Sequence, residues 1–185
     1  MVEMKNHYAV VLTFSGEIAG MLSKLCEDYQ QYINYTIVPH ITLIYPFEPS
    51  FGLNRVTDKL AEVAKRTRPF TLVLNGIEFF ERDNNVAYVA VENKQTVKEL
   101  HVSLFQSLKG LVKGMVDYNL DKFVPHMTIG ERIPEEMLLG VKQRFSDYRL
   151  CYKCPVTYFS LFSEDKGKWE RAQVFRLVGG SGEKV

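Results

Sequence analysis

Two of the four histidines in this chain stand in the same local setting. Val38-Pro39-His40-Ile41-Thr42-Leu43 and Val124-Pro125-His126-Met127-Thr128-Ile129 share the pattern Val-Pro-His-apolar-Thr-apolar. Such β-branched and apolar runs read as strands, whose side chains alternate between faces. His40 and Thr42 therefore project from one face while Ile41 and Leu43 project from the other, and His126, Thr128, Met127 and Ile129 repeat the arrangement. Each motif offers an imidazole beside a hydroxyl. A single pair of this kind is most often a satisfied histidine on a half-buried strand; a matched second copy points instead to shared chemistry. Cleaving a phosphate ester brings one oxygen in and sends another out, roughly in line through phosphorus, so a proton leaves on one side and arrives on the other. Two imidazoles that titrate near neutral pH meet that need, one as base and one as acid. The hydroxyls of Thr42 and Thr128 would donate hydrogen bonds to the non-bridging oxygens. The scheme calls for no metal and no cofactor, and the carboxylate companions of a metal cage are missing at short spacing around both histidines.

The segments around the motifs must hold them on facing strands. Residues 7 to 14 and 36 to 45 are β-branched and aromatic runs, and between them Ile18, Met21, Leu22 and Leu25 recur at helical spacing. Leu53, Val56, Leu60, Val63 and Ala64 predict a helix across Leu53 to Arg66 that stops before Pro69. A strand over Phe70 to Phe80, a turn at Asp83-Asn84-Asn85 and a short strand VAYVAV follow. The stripe Val97, Leu100, Leu104, Leu108 and Leu111 then predicts another helix. The second motif strand comes next, then a shorter helix over 135 to 146, a β-rich stretch from Arg149 to Phe162, a turn at Asp165 to Lys168 and a last strand near Arg171 to Val178. Both halves thus run strand, helix, Pro-His-x-Thr strand, helix, strand. They read as two copies of one unit, an inference from the order of elements that the motif anchors.

A chain of 185 residues, 46% of them hydrophobic, is long enough to bury a core and short enough to be one globular unit over 1–185 with two lobes, each contributing one H-x-T motif. Lys and Arg number 23 against 22 acidic residues, so the overall field grips a long phosphate backbone weakly and suits a small phosphate ester better than a long duplex. The N-terminal run MVEMKNHYAVVLTF has neither a basic n-region nor a cleavage site, and no stretch approaches the roughly 18 consecutive apolar residues of a membrane span. A cytoplasmic protein is expected, with a monomer as the simplest state. Of Cys26, Cys151 and Cys154, the last two form a C-x-x-C, but no further pair of zinc ligands follows, and reduced thiols in a β-rich stretch are expected. His7 and His101 read as surface or half-buried residues. Tyr45, Tyr158 and Phe159 lie on strand-like stretches where an aromatic can stack on a base, although packing is the default for residues of this type. The charged run Ser163 to Lys168 reads as a solvated hairpin turn.

The paired P-H-x-T-[LI] motifs resemble those of the 2H phosphoesterase superfamily, specifically the bacterial 2'-5' RNA ligase or LigT-like proteins, over roughly residues 5 to 178. The resemblance implies an α+β, bilobal fold: two pseudo-symmetric α/β lobes with antiparallel sheets around a central cleft lined by the H-x-T strands. It also implies a hydrolase that opens 2',3'-cyclic phosphates or related cyclic or 2',5'-linked nucleotide esters, with His40 and His126 catalytic and Thr42 and Thr128 binding phosphate. The alternatives are 2',5' RNA ligation or RNA end processing, and a non-catalytic nucleotide-binding module. Many relatives carry an arginine directly after the glycine of the second motif, whereas here Gly130 is followed by Glu131 and then Arg132. If the strand continues, Arg132 shares the face of His126 and can touch a phosphate; if it bends at Gly130, Arg132 is a rim charge.

Overall fold

The computed structural model describes residues 7–27, 38–81, 84–115 and 122–179. In its first half the chain runs β1 (Tyr8–Thr13), α1 (Gly16–Glu27), β2 (His40–Pro49), α2 (Leu53–Arg66) and β3 (Phe70–Phe80). The second half runs β4 (Asn85–Val91), α3 (Lys94–Leu108), the two-residue β5 (Val112–Lys113), β6 (His126–Ile133), α4 (Glu135–Phe145) and β7 (Cys151–Val156). A hairpin of β8 (Tyr158–Asp165) and β9 (Lys168–Arg176) completes it.

α2 shows how directly the pattern sets local structure. Val56, Leu60, Val63 and Ala64 form its buried stripe, and Lys65 and Arg66 lie in its last turn, where they complement the negative end of the helix dipole. Thr67 closes it by returning both its backbone N–H (3.0 Å) and its hydroxyl (2.8 Å) to the Val63 carbonyl. α3 is shorter than its apolar stripe predicts. Lys109 leaves the helical region and Gly110 takes φ 80, a left-handed stop, so Leu111 falls outside the helix and leads into β5, which periodicity does not reveal. β9 begins earlier than predicted, at Lys168. Lys166 and Gly167 both have positive φ (50 and 79), as a two-residue hairpin turn requires, and pairing resumes at once with Asp165 opposite Lys168. Ser163 and Glu164 of the charged run accordingly belong to β8. Residues 36 and 37 of the predicted first motif strand and Asp83 of the predicted turn lie outside the described residues.

The strands join in the order β7-β3-β4-β6-β2-β1-β8-β9, all pairings antiparallel, with β5 attached to β2. Leaving β5 aside, four strands lie on either side of the central β2–β6 junction, and each set holds one motif strand. The two inner ladders repeat residue for residue. On one side Thr13, Leu12, Val11, Val10 and Tyr8 oppose His40, Ile41, Thr42, Ile44 and Phe47; on the other Ala90, Val89, Tyr88, Ala87 and Asn85 oppose His126, Met127, Thr128, Gly130 and Ile133. Both ladders slip at the same two places, so each motif strand carries the same pair of bulges just beyond its threonine. The second bulge explains two residues at once. Pro46 sits there in β2, where the interrupted ladder asks for no N–H, and Arg132 sits at the matching place in β6 with φ 57. This is the pseudo-symmetric antiparallel α+β architecture that the resemblance implies, with the core on the helix side of the sheet: α2 packs on α3 and β9, α3 on β2 and α1 on β6.

His101 serves this packing. On α3 it is buried, its ring stacks on Phe123 at 4.0 Å, and its Nδ1 donates to the Leu43 carbonyl of β2 at 2.6 Å. Burial pushes its pKa below the ordinary imidazole value, which keeps it neutral. His101→Ala is expected to cost about 2–4 kcal/mol in chemical denaturation, from a buried carbonyl left unpaired and a ring stack lost. A cost below about 1 kcal/mol would contradict this structural role.

Candidate active site

β2 and β6 pair antiparallel with Ile41 opposite Met127, both buried on the core side. The residues flanking that pair therefore face one another crosswise on the opposite side of the sheet, His40 toward Thr128 and Thr42 toward His126. All four are half-buried, and His40 and Thr42 line a pocket. The structure thus brings together the four residues that the motifs single out.

Each imidazole is oriented by its own strand in the same way. His40 Nδ1 lies 2.9 Å from the Val38 carbonyl and His126 Nδ1 2.7 Å from the Val124 carbonyl, two residues back in both cases. A carbonyl only accepts, so Nδ1 carries the proton and Nε2 of the neutral ring keeps its lone pair. The intervening Pro39 and Pro125, with φ fixed by the ring, hold that carbonyl beneath the imidazole, which gives the Val-Pro-His order a geometric reason.

Loss of solvent pushes the pKa of His40 down to about 4, against the opposing pull of the Val38 carbonyl, and the nearby His126 lowers it further. Desolvation also lowers His126, again opposed by its backbone hydrogen bond. Behind β6, the thiol of Cys26 on α1 reaches the Thr128 carbonyl at 3.7 Å; burial pushes it up to about 11, far from a thiolate nucleophile.

The walls around the two histidines differ. His126 lies edge-on to Phe80 (5.1 Å) and Tyr88 (5.2 Å), which stack on each other at 4.2 Å, and the Tyr88 phenol donates to Glu78 at 2.8 Å. Burial and this bond raise the phenol above its ordinary pKa. On the other side, Val11 occupies the register position of Tyr88, and Ser160 that of Glu78. With no phenol across from it, the Ser160 hydroxyl is buried without a partner among the described residues.

Tyr45 lies in a pocket with His40 and Thr42. Tyr158 lies beside Thr13, the residue opposite His40, and receives its hydroxyl bond at 3.4 Å. Phe159 is fully buried against Phe175 (5.3 Å) and cannot meet a ligand. Arg132 is exposed and has φ 57 at its bulge, in a strand that runs on to Ile133. Arg171 was not legible in the sequence. It donates to Thr13 at 3.2 Å and lies over the rings of Phe162 (5.8 Å) and Tyr158 (6.0 Å), which brings a guanidinium beside the first motif. Trp169, Tyr88 and Glu78 were missed as well; their strands carry no motif, and only the ladder register brings them to the histidines. His7 sits away from the pair, between Glu48 (3.5 Å) and Glu164 (3.3 Å). Cys151 and Cys154 fall three apart on β7, hence on opposite faces, one exposed and one buried, so they cannot grip one ion together.

The profile of the 2'-5' RNA ligase superfamily matches residues 17–168, a span that contains both motifs. The chain belongs to that superfamily. A protein of Geobacillus thermodenitrificans named "Putative phosphoesterase" is 30% identical over 176 residues, which is 94% of this chain and 96% of that protein. Among solved structures, TT0787 of Thermus thermophilus superposes with a TM-score of 0.69 at 20% identity, covering 94% of this chain and 98% of its own. E. coli LigT, complexed with NADP+, gives 0.64 at 14% identity, covering 94% and 99%. At such identities these structures share the fold, and this 2'-5' RNA ligase superfamily member is accordingly LigT-like in architecture. Among the described residues no helix is long and apolar enough to cross a membrane.

Proposed function

We propose that this chain is a phosphoesterase that opens a cyclic or 2',5'-linked nucleotide phosphodiester, 2',3'-cyclic phosphates foremost, by general acid–base catalysis between His40 and His126. The observation that carries the reading is the pairing of the two motif strands, with each imidazole tied through Nδ1 to a carbonyl and its Nε2 left for chemistry. With phosphorus between the rings, one Nε2 takes the proton of the attacking water as the P–O bond forms. The other, protonated, gives its proton to the ribose oxygen as the cyclic P–O bond breaks, leaving a phosphomonoester and a free hydroxyl. Thr42 and Thr128 donate to the non-bridging oxygens, and Arg171 adds positive charge on the His40 side. That E. coli LigT has been solved with NADP+, ATP and 3'-AMP supports a nucleotide as ligand. In this reading the chain acts as one domain and a cytoplasmic monomer, each half lending one motif.

The test is turnover of a panel of 2',3'-cyclic nucleotides and 2',5'-linked dinucleotides in excess EDTA. Activity should persist in chelator, and Thr42→Val or Thr128→Val should each lower kcat/KM by about 10–100-fold, the worth of a hydrogen bond to a charged group. No turnover of any panel member by folded protein would overturn the reading.

A further inference from the structure

The pseudo-symmetry that duplicates the histidines breaks down beside them. On the β6 side of the sheet the space next to His126 is filled by the Tyr88 ring, stacked on Phe80. On the β2 side the register equivalent of Phe80 is again a phenylalanine, Phe162, but that of Tyr88 is Val11. One aromatic ring is missing there. In its place lies a pocket of about 220 Å³, whose lining includes Ala9, Val11, His40, Thr42 and Tyr45 and whose outer wall is Trp169 of β9. Trp169 is the single tryptophan of the chain, and it rests against the small apolar patch of Ala9, Val11 and Phe162.

Resting on the phosphoesterase reading above, we propose that this pocket receives the nucleobase of the substrate, stacked on Trp169, so that the ribose and its leaving oxygen lie on the His40 side and the attacking water on the His126 side. The space is smaller than the roughly 300–1,000 Å³ of pockets that enclose a whole ligand, which suits one ring system with its phosphate left in the cleft. Its walls are mostly apolar and aromatic, the surface on which any base stacks through its π-face. Two of its lining residues are the histidine and threonine of the first motif, so a ring seated there leads straight to the phosphate position. On the other side Tyr88 takes up the equivalent space, and the substrate has one orientation rather than two.

The tryptophan supplies its own reporter. Adenosine 3'-monophosphate should quench Trp169 fluorescence saturably, whereas ribose 5-phosphate and inorganic phosphate should not. The quench should survive His126→Ala, because stacking does not need the chemistry. By calorimetry, Trp169→Ala should weaken adenosine 3'-monophosphate by about tenfold or more while leaving inorganic phosphate unchanged, and Trp169→Phe should restore most of the loss. Trp169 is only half-buried, so these variants should fold; Val11→Tyr, which copies the β6 side of the sheet, should exclude the nucleotide as well. Quenching by the nucleotide in a protein that turns nothing over would sink the catalytic reading and leave the pocket standing. Turnover of a cyclic nucleotide with KM unchanged in Trp169→Ala, saturable nucleotide binding without quenching, or no nucleotide binding at all would overturn the pocket assignment.

Discussion

His40→Ala and His126→Ala are each expected to lower kcat on the best 2',3'-cyclic nucleotide by about 10²–10⁴-fold, the usual worth of a positioned acid or base. In the proposed mechanism the two rings flank one phosphate, and a proton is taken on one side as another is given on the other. Removing either ring strands the same transition state. The double variant should therefore be little worse than the worse single one, since groups that act as a unit are not additive. Neither change should unfold the protein, because both side chains face the cleft and Ile41 and Met127 hold the strands in the core. Steady-state rates in chelator, with circular dichroism on the same samples, make the check. Residual activity within tenfold of wild type in either variant would remove that histidine from the mechanism, and glutamine in its place should fail equally, for it cannot exchange the proton.

The second large effect is a divergence between activity and stability with pH. Both imidazoles are held below their ordinary value by loss of solvent, His40 to about 4. In the proposed mechanism the competent free protein carries one proton on the pair. The pair then titrates with two apparent values, both below 6.5, and kcat/KM should peak on the acid side of neutrality and fall about tenfold per pH unit above the upper one. Stability should move the other way. A histidine whose pKa is lower folded than unfolded binds fewer protons in the native state, so its contribution is complete above about pH 6.5 and is lost as pH falls toward 4. At roughly 1.4 kcal/mol per unit, the shift at His40 corresponds to about 3 kcal/mol. Urea denaturation across about pH 4–7 should show that slope in wild type and a shallower one in His40→Gln. A maximum of kcat/KM above about pH 8, or a stability independent of pH, would contradict the buried pair. An anionic phosphate between the rings favours the protonated form, so nucleotide binding at about pH 7 should also take up protons.

Much of the site was legible because it is written locally. The Pro-His-x-Thr spacing, read with the two-residue period of a strand, puts each imidazole and hydroxyl on one face whatever the rest of the chain does. The stripe of α2 and the repeated element order were equally visible, since helical and strand periods are properties of consecutive residues. The end of α3 was lost because the apolar spacing ran on to Leu111 past the point where Gly110 turns left-handed. Arg132 could not be placed because the choice between cleft face and rim depended on a bulge, and a bulge is a feature of two strands rather than one.

The sequence by itself thus determined the chemistry on offer, two imidazole–hydroxyl pairs on matched strands, and the superfamily they announce. Only the tertiary structure decided that Ile41 pairs with Met127 and brings those pairs face to face, that burial lowers both histidines, and that Tyr88 fills one side while Val11 and Trp169 leave the other open. The physical reason is that these depend on ladder register between segments distant in the chain. Register follows from packing the whole sheet against its helices, and no stretch of consecutive residues encodes it alone.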